Sequence, residues 1–128
     1  FEERPSLAVV DLAFISLTLV WPAIVPLLRD QAVVLPLVKP QFEVGKGQVG
    51  QGGVVRSAAQ QRAALVKVAV AAEACGLMTR GMIASPLLGP KGNREFFLFL
   101  QRGNACCEPA ETVLARCWSA HLTEQGAG

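Results

Sequence analysis

Three charged residues stand where strand ends are expected, and their types suit proton handling. Asp11 closes the apolar run Leu7–Val10, Lys39 closes AVVLPLV at 32–38, and Glu95 opens EFFLFL at 95–100. A lysine flanked by two carboxylates can position a hydroxyl or take its proton. Charges that merely solvate strand ends would look the same, and the residues alone favour that plainer reading.

The elements needed to bring the three together can be read from the chain. Leu7–Val10 reads as a strand buried on both faces. Ser16 or Thr18 can cap a helix to about Leu28, shortened or kinked at Pro26. Ala32–Val38 is a second strand, with Pro36 awkward inside it. A loop rich in glycine spans 40–56, and Ser57 caps a helix to about Cys75, which Gly76 stops. Leu77–Ala84 is a third strand and 95–100 a fourth. The loop at 85–93 is too short for a parallel crossover, so the last two strands must be antiparallel. The start of the fourth strand then lies at the same rim as the ends of the others. Strands about 4.8 Å apart allow long side chains from that rim to meet. The pattern specifies an α/β sheet, and residues 111–122 a modest helix.

Three motif blocks sharpen this. Asp11-Leu12-Ala13-Phe14-Ile15-Ser16-Leu17 resembles the D-[LV]-S-F-I-S-L signature of the TlyA group of FtsJ-like RNA methyltransferases. Lys39-Pro40-Gln41-Phe42-Glu43 with Val49-Gly50-Gln51-Gly52-Gly53-Val54-Val55-Arg56 is similar to K-P-Q-F-E and V-G-K-G-G-V-V-R of that group. Ser85 to Phe96 resembles S-P-[IL]-x-G-P-x-G-N-x-E-[FY]. The blocks occur in family order over residues 6 to 102.

The resemblance implies the C-terminal half of a Rossmann-like class I methyltransferase sheet: parallel strands plus a terminal antiparallel strand. It implies S-adenosylmethionine-dependent 2′-O-methylation of ribosomal RNA, at cytidine. In the family's Lys-Asp-Lys-Glu tetrad, Asp11, Lys39 and Glu95 match the last three members. Lys39 would hold or deprotonate the ribose hydroxyl, with Asp11 and Glu95 orienting it. Asp11 and Leu12 would meet the cofactor. Phe42, Lys46, Arg56 and Arg94 are candidate RNA contacts, Phe42 by stacking on a base.

The departures are equally specific. The first tetrad lysine, the glycine-rich cofactor turn and the S4-like domain have no counterpart here. Ala13, Gln51 and Ser57 replace a usual Ser, Lys and Asp. The expected organisation is therefore a partial methyltransferase domain at 1–102 and a tail at 103–128 outside the family pattern. Such a fragment is expected to be inactive alone and to self-associate through its exposed sheet edge.

Other signals are weaker. Gly45-x-Gly47-x-x-Gly50 matches a dinucleotide fingerprint, but it lies too far from the preceding strand and the next helix. Cys106, Cys107, Cys117 and His121 lack zinc-site spacing, so no metal is expected. Cys75, Met78, Met82 and Trp118 read as packing residues.

Composition bounds the alternatives. The chain is 52% apolar and 17% charged, which excludes disorder, and its net charge of +2 excludes a polybasic binder. No secretory leader opens it, and a cytoplasmic location is expected. Leu12–Leu28 is uncharged, at the short limit for a membrane span, but Ser16, Thr18, Pro22 and Pro26 interrupt it. A membrane-active, haemolysin-like protein and a non-catalytic remnant are the competing readings.

Overall fold

The computed structural model describes residues 3–45, 49–50, 52–103 and 108–127, with side chains to residue 124. β1 (Leu7–Val10), β2 (Val33–Val38), β3 (Leu77–Ala84) and β4 (Phe96–Arg102) form one sheet in the order β1-β2-β4-β3. β1 pairs with β2 in parallel, and β4 is antiparallel to both β2 and β3. The carboxyl ends of β1, β2 and β3 and the start of β4 therefore share one rim.

Helices α1 (Trp21–Ile24), α2 (Ala58–Ala74) and α3 (Ala110–Ala127) supply the apolar side chains that meet alternate residues of the sheet. Trp21, Leu65, Val68, Leu114 and Trp118 pack with Val34, Val38, Leu77, Leu98 and Leu100 in one core. Ser57 caps α2 by accepting from the Gln60 N–H at 3.3 Å. Gly76 ends it at φ 91°, a left-handed turn that favours glycine. Trp21 is fully buried and donates its indole N–H to the Val68 carbonyl at 3.1 Å, tying the segment after β1 to α2.

Several expectations need correction. β1 is not buried on both faces: it is an edge strand, with Val9 67% exposed. An apolar run reports composition, and only the neighbouring elements decide which faces are covered. The expected helix from Ser16 to Leu28 is three short pieces: 3-10 turns at Leu17–Leu19 and Val25–Leu27 flank α1. Pro22 and Pro26 each remove a helical donor, so no long helix propagates. Pro36 does lie in β2, an interior strand. It lies level with Val10 of β1, and the β2–β4 register is the same before and after it, so the proline is accommodated without a bulge. β4 extends to Arg102, and α3 runs further than 111–122. Ala110, Leu114 and Trp118 of α3 are buried against the same core.

Among the described residues no helix is long and apolar enough to cross a membrane. The sheet face opposite the helices is open. Val9, Leu35, Gly81, Ile83, Phe97 and Phe99 line an apolar hollow of about 440 Å³ there.

Candidate active site

Sheet register explains the first contact at the rim. Val38 lies beside Phe96, so Lys39 and Glu95 leave adjacent strands at one level; Val10 lies beside Pro36, so Asp11 leaves β1 two residues earlier, a gap the long Lys39 side chain spans. The Lys39 ammonium donates to Asp11 Oδ1 at 2.6 Å. The lysine side chain is 16% exposed and the aspartate 61%, so the pair has one largely covered and one accessible member.

Glu95 is only 5% exposed, and its partner is not Lys39. Its Oε2 accepts the Gln41 Nε2–H at 2.9 Å, and among the described residues no ion pair joins it to Lys39. Gln41 lies in the 3-10 turn Pro40–Phe42 that follows β2. Gly89 backs the carboxyl so closely that a Cβ there would overlap Oε2 and Cδ. The structure thus joins Asp11 to Lys39 directly and sets Glu95 beside them through Gln41.

A second acid, Glu43, is 4% exposed. It belongs to the Lys39–Glu43 motif, and the sequence alone assigns it no role. Its Oε1 accepts from the Ser16 hydroxyl at 2.6 Å and its Oε2 from the Leu17 N–H at 2.8 Å. Lys67 of α2 donates to the Glu43 carbonyl at 2.6 Å and lies 3.6 Å from Oε1. Glu43 therefore anchors the segment 11–17 to the turn after β2. An acidic residue amid a short apolar turn was the available signal.

Asn93 is another residue that received no role. It is buried, its Oδ1 accepts from the Val55 N–H, and its Nδ2 donates to the carbonyls of Gly53 and Pro90. One amide so pins the end of the glycine-rich loop to the turn before β4.

Beside the rim lies a cavity of about 290 Å³ lined by Phe14, Gln41, Phe42, Gly53, Lys91 and Asn93. Phe14 is 89% exposed, with φ at 66°. A bulky residue with positive φ is uncommon and costs of order 1–3 kcal/mol, so the surrounding contacts must hold it. Its ring meets that of Phe42 at a centroid distance of 4.9 Å and an interplanar angle of 52°.

The other candidate contacts are spread out. Leu12 is exposed immediately after Asp11. Arg56 is exposed, and its guanidinium lies over Gly50. Arg94 turns to the opposite side from Glu95, donates to the Ser85 carbonyl at 3.3 Å, and lines a hollow with Cys117, His121 and Glu124. Lys46 and Gln51 lie outside the described residues, as do Gly47 of the fingerprint and Cys106 and Cys107. Among the described residues no group of three or more His, Cys, Asp or Glu could hold a metal.

Residues 1–102 match the model of the FtsJ-like methyltransferase family. The chain is 51% identical over 98 residues to the Mycobacterium tuberculosis protein named 16S/23S rRNA (cytidine-2′-O)-methyltransferase TlyA, covering 77% of this chain and 37% of that protein. It is 35% identical over 125 residues to Bacillus subtilis YqxC, provisionally named an rRNA methyltransferase, covering 93% of this chain and 44% of YqxC. A solved structure from Streptococcus thermophilus, named as a hemolysin, superposes with a TM-score of 0.76 at 34% identity, covering 99% of this chain and 47% of that one. The chain thus spans less than half the length of these relatives. The match over 102 of its 128 residues shows that the chain belongs to the FtsJ-like methyltransferase family.

Proposed function

We propose that this chain supplies the acceptor side of an S-adenosylmethionine-dependent methyltransferase acting on the ribose 2′-hydroxyl of ribosomal RNA, at cytidine. The observation that carries this reading is the 2.6 Å Lys39–Asp11 pair, set beside the buried Glu95 at a rim bordered by an aromatic-walled cavity.

Asp11 and Leu12 fit one side of a cofactor site. They offer an accessible carboxylate and an accessible apolar side chain at the end of an edge strand, which suits a cationic ligand with an apolar body. When bound, S-adenosylmethionine supplies an electrophilic methyl group. Lys39 holds the hydroxyl and governs its proton. Asp11 fixes the lysine's position, which is where most of the acceleration arises when reactants are aligned. Phe14 and Phe42 present ring faces on which an unstacked base can rest. Arg56 and Lys46 are proposed as phosphate contacts near the glycine-rich loop, and Arg94 as one on the far side of β4. The chain by itself is proposed to be inactive, because it carries only this side of the site.

The test is a chimera in which this chain replaces the matching segment of the M. tuberculosis relative. Incorporation of labelled methyl into ribosomal RNA is expected from the chimera and not from the chain alone. Lys39→Ala in the chimera should lower turnover about 100- to 10,000-fold at saturating cofactor while sparing cofactor affinity. A folded chimera that transfers no methyl, or one indifferent to Lys39, contradicts the assignment.

A further inference from the structure

Strained backbone is unevenly distributed in this chain. Among the described residues three that are not glycine have positive φ: Phe14, Gln31 and Lys91. Two of them, Phe14 and Lys91, stand on the cavity beside the rim. Lys91, at φ 59° and ψ 20°, occupies the left-handed region that favours glycine. A lysine kept where glycine would fit more easily points to a use for its side chain.

The turn that carries Lys91 is fixed on both sides. The Gly92 N–H donates to the Gly89 carbonyl at 3.1 Å, and the Gly89 N–H to the Asn93 carbonyl at 2.7 Å. Asn93 in turn clamps it to the glycine-rich loop, through the Gly53 carbonyl and the Val55 N–H. The clamp sets the Lys91 ammonium beside Gly53, where a Cβ added to that glycine would stand 3.7 Å from Nζ. Gly53 lines the same cavity, so the cation stands on its wall. Lys91 is exposed, and among the described residues no ion pair or hydrogen bond engages its ammonium. The acids of the rim are committed elsewhere: Asp11 to Lys39, Glu43 to Ser16 and Leu17, Glu95 to Gln41. The cavity therefore joins an accessible aromatic pair to a cation that no carboxylate of the rim neutralises. A nucleotide has the matching parts, a flat base and an anionic phosphate next to it.

We propose that this cavity is a subsite for one unstacked nucleotide, in which the Phe14–Phe42 pair takes the base and the Lys91 ammonium takes a phosphate that flanks it. This rests on the RNA reading above and adds a residue to which that reading gives no role. An ammonium is a compact point charge on a flexible stem, so it meets a phosphate oxygen without fixing its angle. Stacking tolerates any base, and every base in a strand has a phosphate beside it, so the pair selects an unstacked nucleotide and not a sequence. Gln41 lines the cavity and also holds Glu95, so a nucleotide seated here adjoins the rim that carries Lys39. Lys91 is thus a positioning residue, set on a rigid turn so that base and phosphate are held together.

The test is fluorescence anisotropy on the chain itself with two RNA heptamers of abasic riboses, one carrying a single central cytidine and one carrying no base. Backbone charge is the same in both, and the cytidine probe is expected to bind the parent at least roughly fivefold more tightly, the lower end for stacking one base. Lys91→Gln should weaken the cytidine probe roughly three- to tenfold and lower its salt slope by about 0.7, the share of one single-strand phosphate contact. The probe without a base should be weakened much less. Replacing one phosphate flanking the cytidine, on the 5′ or the 3′ side, by a neutral methylphosphonate should weaken the parent to the same degree and Lys91→Gln no further. Lys91→Gly relieves the left-handed backbone, so it should lose the same binding with a urea midpoint at or above that of the parent, which separates a lost contact from lost folding. Lysine variants that bind the cytidine probe as the parent does, that weaken both probes equally, or whose effect adds to that of either methylphosphonate overturn this inference and leave the RNA reading standing. Binding of neither probe, with ribosomal RNA fragments also unbound, overturns both.

Discussion

Glu43 accepts the backbone N–H of Leu17 at 2.8 Å although 26 residues separate them in sequence. With the Ser16 hydroxyl on its other oxygen and Lys67 at its carbonyl, it holds three elements at once: the turn after β2, the segment after β1, and α2. The segment 11–17 carries Asp11 and Phe14, so placement of the rim depends on this buried acid.

Glu43→Ala should therefore destabilise the chain by about 2–4 kcal/mol, because it strands a buried N–H and a hydroxyl that now bond a charged acceptor. Lys67 is half exposed and contributes little to that figure. Urea denaturation monitored by Trp21 and Trp118 fluorescence gives the measurement. A loss below about 0.5 kcal/mol, the level of an ordinary surface change, would show that Glu43 is not the anchor.

Gly89 and Glu95 form a second dependent pair. A Cβ at position 89 would overlap the Glu95 carboxyl, which is confined by the Gln41 hydrogen bond. Gly89→Ala is expected to cost about 1–3 kcal/mol, as overpacking does. In the Glu95→Ala background the same change should cost much less, since its obstacle is gone. Simple additivity of the two substitutions would mean that the clash is relieved elsewhere.

The rim itself was legible in the sequence, and its wiring was not. Asp11, Lys39 and Glu95 each adjoin an apolar run, and the short loop before β4 forces antiparallel pairing, so topology alone sets them at one edge. β3 follows its sequence pattern to both ends, because Gly76 and Ser85 bracket it, although its pairing with β4 shifts register between Thr79 and Gly81. What Glu95 touches depends on rotamers: Gln41 intervenes where a Lys39 contact was expected, and no periodicity encodes that. The segment after β1 misled for a related reason. Its apolar residues suit a helix, while Pro22 and Pro26 break it into turns whose path is set by Trp21 and Glu43, both tertiary contacts. Arg94 and Glu95 are neighbours in sequence just before β4, yet Arg94 meets the Ser85 carbonyl and the hollow beside His121 while Glu95 meets Gln41.

His121 is the chain's single histidine, which makes its titration separable. It is 8% exposed, with its ring 5.5 Å from Phe96 and 5.0 Å from Trp118. Burial first, and the Arg94 charge second, hold its pKa below the ordinary 6.5, while Glu124 opposes them. Between 6.5 and that lower folded value the unfolded chain binds the proton and the folded chain does not. Stability then rises with pH, so it should fall as pH drops through 6.5 and level off below the folded pKa. His121→Leu should flatten this part of the profile, leaving the carboxylates to dominate at lower pH. An unchanged slope between pH 7 and 5.5 in the variant would remove His121 as its source.

The open sheet face leads to the last expectation. β1 pairs only with β2 among the described strands, so its other edge presents unpaired backbone groups, and Val9 and Ile83 stand 67% and 64% exposed on the face. Monomeric proteins rarely leave an apolar patch and a strand edge uncovered together. The chain by itself should associate with rising concentration, by edge pairing at β1, by burial of this face, or by both. Val9→Lys with Ile83→Lys separates association from folding, because neither side chain belongs to the buried core. The double variant should sediment as a monomer where the parent does not, with its thermal midpoint little changed. Added salt should restore part of the association, since screening removes the repulsion between lysines while the apolar surface remains. A parent chain that stays monomeric across the micromolar range would mean that neither the face nor the β1 edge drives self-contact, and a double variant that associates as strongly as the parent would remove the face as the cause.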